Sequence, residues 1–213
     1  MIPPNSLVFV IDDDASIRKG LSRLLRATGY RSEIFSSAAD FLARSPHPGP
    51  SCVIVDVRMP GLNGIKLQET LIQRCRHEQL IFITGHGNVP MCAQAMKAGA
   101  VDFLPKPFRN AHLLQCVERA LARSADERSR TAERNKARQL LDLLTPREFE
   151  VMQLVTTGML NKQIAGELGA AEKTVKVHRG RVMHKLGVTS VAELLHLTQK
   201  AVVAPIAGHK TKV

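Results

Sequence analysis

The sequence predicts an α/β domain built on a parallel sheet, followed by a smaller all-helical domain. Three observations support this fold class. Short apolar runs typical of buried strands recur in the first half of the chain, and amphipathic helical patterns separate them. After a highly charged stretch these runs stop, and closely spaced helix-start signals take their place. The length of 213 residues is sufficient for two domains.

Four apolar runs have the composition of strands that are buried on both faces of a sheet. They span residues 7–11, 52–55, 80–83 and 101–104. A weaker run at 33–35 predicts a further strand nearer the edge. Helical patterns lie at 17–28, 38–43, 65–75, 89–98 and from 111 onward. This alternation predicts right-handed crossovers and the flavodoxin-like strand order 2-1-3-4-5.

Polar side chains follow four of the predicted strands, at the point where each strand ends. They are Asp12, Asp13 and Asp14, then Asp56, then Thr84, and finally Lys106. Helix capping or turn formation explains a single aspartate at such a position, but not the whole set. Because the carboxyl ends of parallel strands meet at one edge of a sheet, we expect these side chains to converge there.

The chemistry of this edge follows from its charges. Neighbouring carboxylates raise one another's pKa values unless a cation lies between them. An open site with oxygen ligands favours Mg²⁺, which takes one or two carboxylates together with water and phosphate oxygens. A carboxylate beside Mg²⁺, a hydroxyl and a lysine can accept a phosphoryl group by in-line attack. The edge is therefore a candidate site of phosphoryl transfer.

Residues 123–138 are highly charged and contain neither proline nor glycine. This composition is compatible with an extension of the fifth helix as a solvated rod, and also with disorder. The leucines that follow offer an apolar patch, which either packs on the second domain or contributes to a dimer. They are Leu140, Leu141, Leu143 and Leu144.

Four helices are expected in the second domain. Thr145, Pro146 and Glu148 form a strong helix start, with Thr as N-cap, Pro at the first position and Glu at the third. Further helices are predicted at 162–168 and 172–186, and a second capping box at 190–193 opens the last one. The tight turn before residue 172 makes this a helix-turn-helix pattern.

The third of these helices has one apolar face and one face suited to a DNA groove. Val175, His178, Val182 and Leu186 fall on the apolar side, where His178 is expected to be a structural, hydrogen-bonded residue. The predicted DNA-contacting residues are Lys173, Thr174, Lys176, Val177, Gly180, Arg181 and His184. The lysines can reach guanine edges or phosphates, and Val177 can meet a thymine methyl group. An ordinary solvated basic helix is the alternative.

The charge distribution agrees with a polyanionic partner for the second domain. The net charge is +11, from 30 basic and 19 acidic residues. Residues 1–122 carry 14 basic and 10 acidic residues, and the rest carry 16 and 9. A basic domain fits nucleic acid or a membrane surface. Scarce aromatics argue against single-strand binding by stacking. No long apolar run or secretory segment is present, and the cysteines suit reduced thiols, so a cytoplasmic protein without membrane partners is expected.

The motifs of the first domain resemble the receiver domain of a two-component response regulator of the FixJ type. They are IDDD at 11–14, VDVRMPG at 55–61, ITGHG at 83–87 and KPF at 106–108. The resemblance implies that Asp56 is the phosphoacceptor and that Asp12, Asp13, Asp56 and the Arg58 carbonyl hold Mg²⁺. It also implies that Thr84 and Lys106 bind the phosphoryl group and that Phe103 is the switch aromatic. The Lys106–Pro107 bond is often cis in this family.

The second half resembles the LuxR/NarL-type DNA-binding domain, in the segments LTPREFEVM, NKQIAGELG and KTVKVHRGRVMHKLGV. The two halves together resemble FixJ-like activators such as the styrene-catabolism regulators. This implies a sensor histidine kinase, double-stranded promoter DNA and RNA polymerase as partners, and a homodimer on activation. Expected boundaries are 1–122 for the receiver, 123–142 for a helical linker, 143–204 for the DNA-binding domain and 205–213 for a flexible tail. Ala171 and Gly180 depart from the family pattern, the first at a helix cap and the second at a DNA-contacting position.

Two other functions fit parts of the sequence. A haloacid-dehalogenase-like phosphatase would use the DxD motif at 12–14 with a threonine, a lysine and Mg²⁺. It would need an acidic pair after Lys106, and none follows at close range. A DNA-binding regulator that never receives phosphate is the other alternative, although the intact set of acids, Thr84 and Lys106 argues against it.

Overall fold

The structure, a computed structural model, describes residues 2–85 and 89–201. The predicted tail at 205–213, residues 202–204 and the last two residues of the ITGHG motif lie outside this description. The chain divides into two compact units, Met1–Ser129 and Arg130–Val213. In the described part of the chain, no helix is both long and apolar enough to span a membrane.

The first unit contains a parallel sheet with helices between its strands. The strands are β1 Leu7–Ile11, β2 Ser32–Phe35, β3 Ser51–Asp56, β4 Gln79–Thr84 and β5 Asp102–Pro105. The helices are α1 Ala15–Ala27, α2 Ala38–Ala43, α3 Gly64–Gln73, α4 Val89–Lys97 and α5 Asn110–Leu141. The five strands lie in the order β2-β1-β3-β4-β5, and every pair is parallel. The predicted fold class and strand order are confirmed.

Alternation along the strands builds a hydrophobic core on each face of the sheet. In β1, Phe9 packs with Phe41 of α2 on one face, while Val8 and Val10 pack with Leu25 of α1 on the other. Strands β1, β3 and β4 are buried along their whole length, whereas β2 is partly exposed, as expected for an edge strand.

Register places the functional residues side by side. Ile11 of β1 pairs with Val55 of β3, so the residues that follow them, Asp12 and Asp56, are neighbours at the carboxyl edge. Asp56 pairs in turn with Ile83 of β4, the residue before Thr84.

The segment predicted as a linker is helical up to Leu141, because α5 continues through it without a break. The expectation of a solvated rod is wrong for the start of this segment. Ser124 is fully buried and its hydroxyl accepts a hydrogen bond of 3.0 Å from the Ser51 amide. Glu127 accepts one of 2.7 Å from the Gln79 side chain, and Arg128 donates to the carbonyl of His47. This part of α5 therefore belongs to the first unit.

The second unit consists of the end of α5 and four further helices. These are α6 Pro146–Thr156, α7 Asn161–Glu167, α8 Glu172–Leu186 and α9 Val191–Lys200. Leu141 is buried in its core, and Leu140 and Leu144 are packed against that core, whereas Leu143 is 57% exposed. Most of the leucine patch thus packs within this unit.

The predicted helix caps form in one case completely and in the other by half. At α6, the Glu148 amide donates to the Thr145 hydroxyl (3.3 Å) and the Thr145 amide donates to the Glu148 carboxylate (2.9 Å). At α9 the Ser190 hydroxyl accepts from the Glu193 amide, but the Glu193 carboxylate accepts from the Thr189 amide at 2.7 Å. The second capping box is wrong in this respect, because Thr189 offers both its amide and its hydroxyl to that carboxylate.

Glu148 also links α6 to α8 through a buried ion pair. Its side chain is 3% exposed, and Lys185 Nζ lies 2.6 Å from its carboxylate oxygen. The Lys185 bond, followed by the Thr145 amide bond, lowers the pKa of Glu148 to about 2. Lys185 further donates to the Leu143 carbonyl at 3.1 Å, so α8 is held at its carboxyl end.

We expect Glu148→Gln to destabilise the protein above pH 4.5 and to make less difference as the pH falls from there towards 2. The folded pKa is depressed, so the stabilisation by the carboxylate is present above the unfolded pKa and is lost as the pH falls through the folded pKa. Glutamine keeps an oxygen for the Thr145 amide, so the change isolates the charge. Thermal unfolding between pH 7 and 3 measures the difference in Tm. Glu150→Gln, in the exposed pair with Arg147, is the control and should show no such trend.

A second expectation concerns Ala171, the N-cap of α8. Its backbone has the extended conformation of a cap (φ −73°, ψ 144°), but alanine provides no side-chain hydrogen bond. Ala171→Ser should raise the free energy of unfolding by about 0.5–2 kcal/mol, because the hydroxyl can accept from an amide of the first turn. Urea unfolding measures this. Ala192→Ser, inside the first turn of α9, should give no gain, and equal gains for both variants would contradict the capping explanation.

Candidate functional site

Three strands bring two carboxylates and one ammonium group together at the carboxyl edge of the sheet. Lys106 follows β5, and its Nζ lies 2.8 Å from Asp12 Oδ2 and 2.9 Å from Asp56 Oδ1. Asp12 and Asp56 are only 1% and 6% exposed. Asp12, Asp56 and Lys106 therefore converge at the sheet edge, as predicted.

The two carboxylates determine the ionisation of Lys106. Burial lowers the pKa of this lysine, but the hydrogen bonds and charges of Asp12 and Asp56 outweigh burial and raise the pKa above its usual value. Lys106 therefore stays protonated at neutral pH. Its amide donates to the Thr84 carbonyl at 2.7 Å, and its bond to Pro107 is cis.

The three consecutive aspartates have different surroundings. Asp12 is buried, and its second oxygen accepts from the Asp14 amide at 2.9 Å. Asp13 is exposed. Asp14 caps α1 by accepting from the amides of Ser16 (2.7 Å) and Ile17 (3.4 Å), and these bonds lower its pKa. Asp14 is thus occupied as a helix cap, whereas Asp12 contacts Lys106.

Backbone contacts orient the Asp56 side chain. The Arg58 amide donates to Asp56 Oδ2 at 2.7 Å, so each oxygen of this carboxylate has a partner. Gly64 closes the loop against the strand, because a Cβ at this position would lie 2.7 Å from the Asp56 carbonyl oxygen. No larger residue fits without moving the loop that carries Arg58.

Thr84 lies on β4, the strand next to Asp56, and Phe103 lies on β5, one strand further from Asp56. Thr84 is the last residue of β4 and is 1% exposed. Phe103 on β5 is half-buried, and its ring centroid lies 6.0 Å from that of Phe82. Both strands reach the edge where the acids meet.

Sequence reasoning missed one contact of this site. Arg18 of α1 contacts the strand end, with its Nη1 2.5 Å from the Asp12 carbonyl oxygen. Arg18 is the fourth residue of α1, about one turn from its start, and no periodicity signal distinguishes it from the other basic residues of this helix.

The donor set fits a divalent metal ion. With Asp12, Asp13 and Asp56 ionised, Lys106 leaves a formal charge of −2 at this edge. The oxygens are of the hard type that Mg²⁺ prefers, and the Arg58 carbonyl belongs to the loop that touches Asp56.

The second unit presents the basic face predicted for α8. All seven predicted DNA-contacting residues are exposed: Lys173, Thr174, Lys176, Val177, Gly180, Arg181 and His184. On the opposite side Val175, Val182 and Leu186 are buried. Val177 is 46% exposed, and no heavy atom of the described residues lies within 4 Å of a Cβ built at Gly180. This face of α8 is therefore exposed, with open space at Gly180.

Two residues beside this face, His178 and Arg179, have hydrogen-bonding surroundings that the sequence does not indicate. His178 was expected to be hydrogen-bonded, but among the described residues its buried Nδ1 has no partner. The reason is its position beside the apolar residues Val175 and Val182, where no described polar group reaches Nδ1. Its neighbour Arg179 donates to the Asn161 side chain of α7 at 3.1 Å.

Comparison with known families covers both units. The family described as response regulator receiver domain matches residues 8–118. The family described as bacterial regulatory proteins, luxR family, matches residues 142–198.

Individual relatives match over nearly the whole chain. Nodulation protein W of Bradyrhizobium diazoefficiens is 44% identical over 98% of this chain and 92% of its own length. Response regulator protein TodT of Pseudomonas putida is 40% identical over 92% and 86%, respectively. The structure of the response regulator StyR has a TM-score of 0.81 and 47% identity, covering 92% of this chain and 99% of that one.

These matches exclude the phosphatase interpretation, and Asp14 of its DxD motif is occupied as a helix cap. The chain belongs to the transcriptional response regulators that combine a receiver domain with a LuxR-type DNA-binding domain.

Proposed function

We propose that Asp56 accepts a phosphoryl group from a sensor histidine kinase and that this modification controls how α8 binds promoter DNA. The observation that carries the proposal is the Lys106 ammonium held between Asp12 and Asp56 at the sheet edge. Such a constellation has an acceptor, a cation for the transferred charge and a neighbouring carboxylate to share a metal ion.

The transfer follows from the positions of these groups. An Asp56 oxygen attacks the phosphorus of a phosphohistidine, the P–N bond breaks, and the electron pair leaves with the histidine nitrogen. Lys106 already lies 2.9 Å from Asp56, so its ammonium can move onto the oxygens of the transferred group. The Thr84 hydroxyl is proposed to bind another of these oxygens, since β4 ends beside Asp56. Phe103 is the proposed switch aromatic.

Mg²⁺ is the proposed cofactor, and when bound it would neutralise charge on the transferred phosphoryl oxygens. Asp12, Asp13, Asp56 and the Arg58 carbonyl are its proposed ligands. The formal charge of −2 at this edge favours a divalent cation over solvent alone.

The second half of the proposal concerns duplex DNA. The exposed lysines of α8 are proposed to contact phosphates or guanine edges, and Val177 a thymine methyl group. After phosphorylation two copies would pair, with their α8 helices on half-sites about 34 Å apart. Recruitment of RNA polymerase would then activate transcription.

Asp56→Asn should abolish labelling by acetyl phosphate while leaving the fold intact, because asparagine is nearly isosteric but lacks the nucleophilic carboxylate. Intact-mass spectrometry in the presence of Mg²⁺ should show one added phosphoryl group on the wild type and none on the variant. Removal of Mg²⁺ with a chelator should also prevent labelling.

Asp14→Asn is the matched control, because asparagine caps a helix as well as aspartate and Asp14 faces α1. This variant should be labelled like the wild type. Full labelling of Asp56→Asn would assign the acceptor to another residue. A wild type that takes up no phosphoryl group would favour the phosphorylation-independent regulator.

Lys176→Ala should weaken binding to duplex DNA and reduce the slope of log K against log salt by about one. The reason is the loss of one phosphate contact from α8. Fluorescence anisotropy with a labelled mixed-sequence duplex, measured at several salt concentrations, gives the slope. Lys66→Ala removes the same charge from an exposed position on α3 of the first unit. This variant should have the same slope as the wild type. Equal slopes for wild type and Lys176→Ala would remove this residue from the interface.

A further inference from the structure

Three potential metal ligands meet on the first unit, apart from the acidic site. They are the carboxylate of Asp102 on β5 and the side chains of His112 and Cys116 on α5. Their ligand atoms all lie within 4.8 Å of one another. His112 Nε2 is 3.8 Å from Asp102 Oδ2, and Cys116 Sγ is 3.1 Å from the same oxygen.

The two distances to Asp102 Oδ2 are close to the ligand–ligand distances of a tetrahedral metal site. With bond lengths of about 2.0–2.3 Å, the ligand atoms around Zn²⁺ lie roughly 3.3–3.6 Å apart. The observed 3.1 and 3.8 Å fall on either side of this range, so shifts of a few tenths of an ångström would bring these two distances into it.

The local structure holds the three side chains in place. His112 and Cys116 are four residues apart in α5 and therefore share one face of the helix. The Asp102 side chain is fixed from β5, because its Oδ1 accepts from the Phe103 amide at 2.8 Å. Cys116 is buried, while the His112 side chain is 52% exposed, so the cluster opens to solvent on one side.

We propose that Asp102, His112 and Cys116 form a binding site for Zn²⁺, with the fourth position open to water. A set of one nitrogen, one sulfur and one oxygen ligand suits this borderline ion and does not suit Mg²⁺ or Ca²⁺. The Mg²⁺ proposed at the sheet edge would therefore not compete for it.

Arg119 contacts two of the three proposed ligands and would therefore compete with a metal ion for them. Its Nη2 lies 2.6 Å from Asp102 Oδ2 and 3.4 Å from Cys116 Sγ. The Arg119 side chain is 59% exposed and can swing into solvent when the metal ion takes its place. Burial, followed by the bond to Asp102, raises the pKa of Cys116, so metal binding must also release the thiol proton.

The test uses the full-length, reduced protein after removal of bound transition metals. Mg²⁺ is then added in excess, and Co²⁺ is the spectroscopic probe. Binding of Co²⁺ at the cluster should produce a thiolate-to-cobalt charge-transfer band. Added Zn²⁺ should displace the Co²⁺ and remove the band. Replacing a ligand, by His112→Gln or Cys116→Ser, should weaken binding by more than about 100-fold, since even outer-shell changes cost about 10–100-fold. Arg119→Gln should strengthen binding about tenfold by removing a neighbouring positive charge.

Two controls separate this cluster from other sites. Cys75→Ser removes an exposed thiol elsewhere and should leave the band unchanged. Asp56→Asn, at the acidic edge, should also leave it unchanged, so the outcome is independent of the proposed phosphoryl transfer. Absence of the band in the wild type, or its persistence in His112→Gln, would overturn the proposal. His112 is exposed, so this variant remains informative even if Cys116→Ser fails to fold.

Discussion

The shared salt bridge of Lys106 with Asp12 and Asp56 is the interaction on which the receiver site depends. Two buried carboxylates on adjacent strands would repel each other, and the ammonium between them removes that repulsion. The residues come from the ends of three different strands, so the arrangement exists only when β1, β3 and β5 are in parallel register. The sheet therefore positions the charges, and the ammonium in turn holds the two carboxylates together at the carboxyl edge.

Much of the fold and of the site could be predicted from residue patterns. The strand order, the bounds of α2 and α8 and the opening of α6 follow from periodicity and capping signals, which are local in sequence. The meeting of Asp12, Asp56 and Lys106 follows from one general rule about parallel sheets. What escaped prediction depends on side-chain torsions and on packing between distant segments. The contact of Arg18 with the Asp12 carbonyl and the burial of Ser124 are of this kind.

The second unit shows a comparable division. Exposure along α8 follows helical periodicity, so its two faces were predictable. The buried pair of Glu148 and Lys185 was not, because it joins helices that are far apart in the chain. This pair fixes one end of α8 while Ala171 leaves the other end without a side-chain cap. Helix α8 thus has side-chain bonds that hold its carboxyl end and no side-chain cap at its amino end.

The absence of a Cβ atom at Gly64 has a consequence for the orientation of the Asp56 side chain. Because Gly64 has no side chain, the loop after β3 can fold back against the Asp56 carbonyl, and the Arg58 amide of this loop donates to the Asp56 carboxylate. A methyl group here would not touch the acid itself. It would clash with the backbone of Asp56 and Val57, just before the amide that binds the carboxylate, so the orientation of this side chain depends on a residue with no functional group.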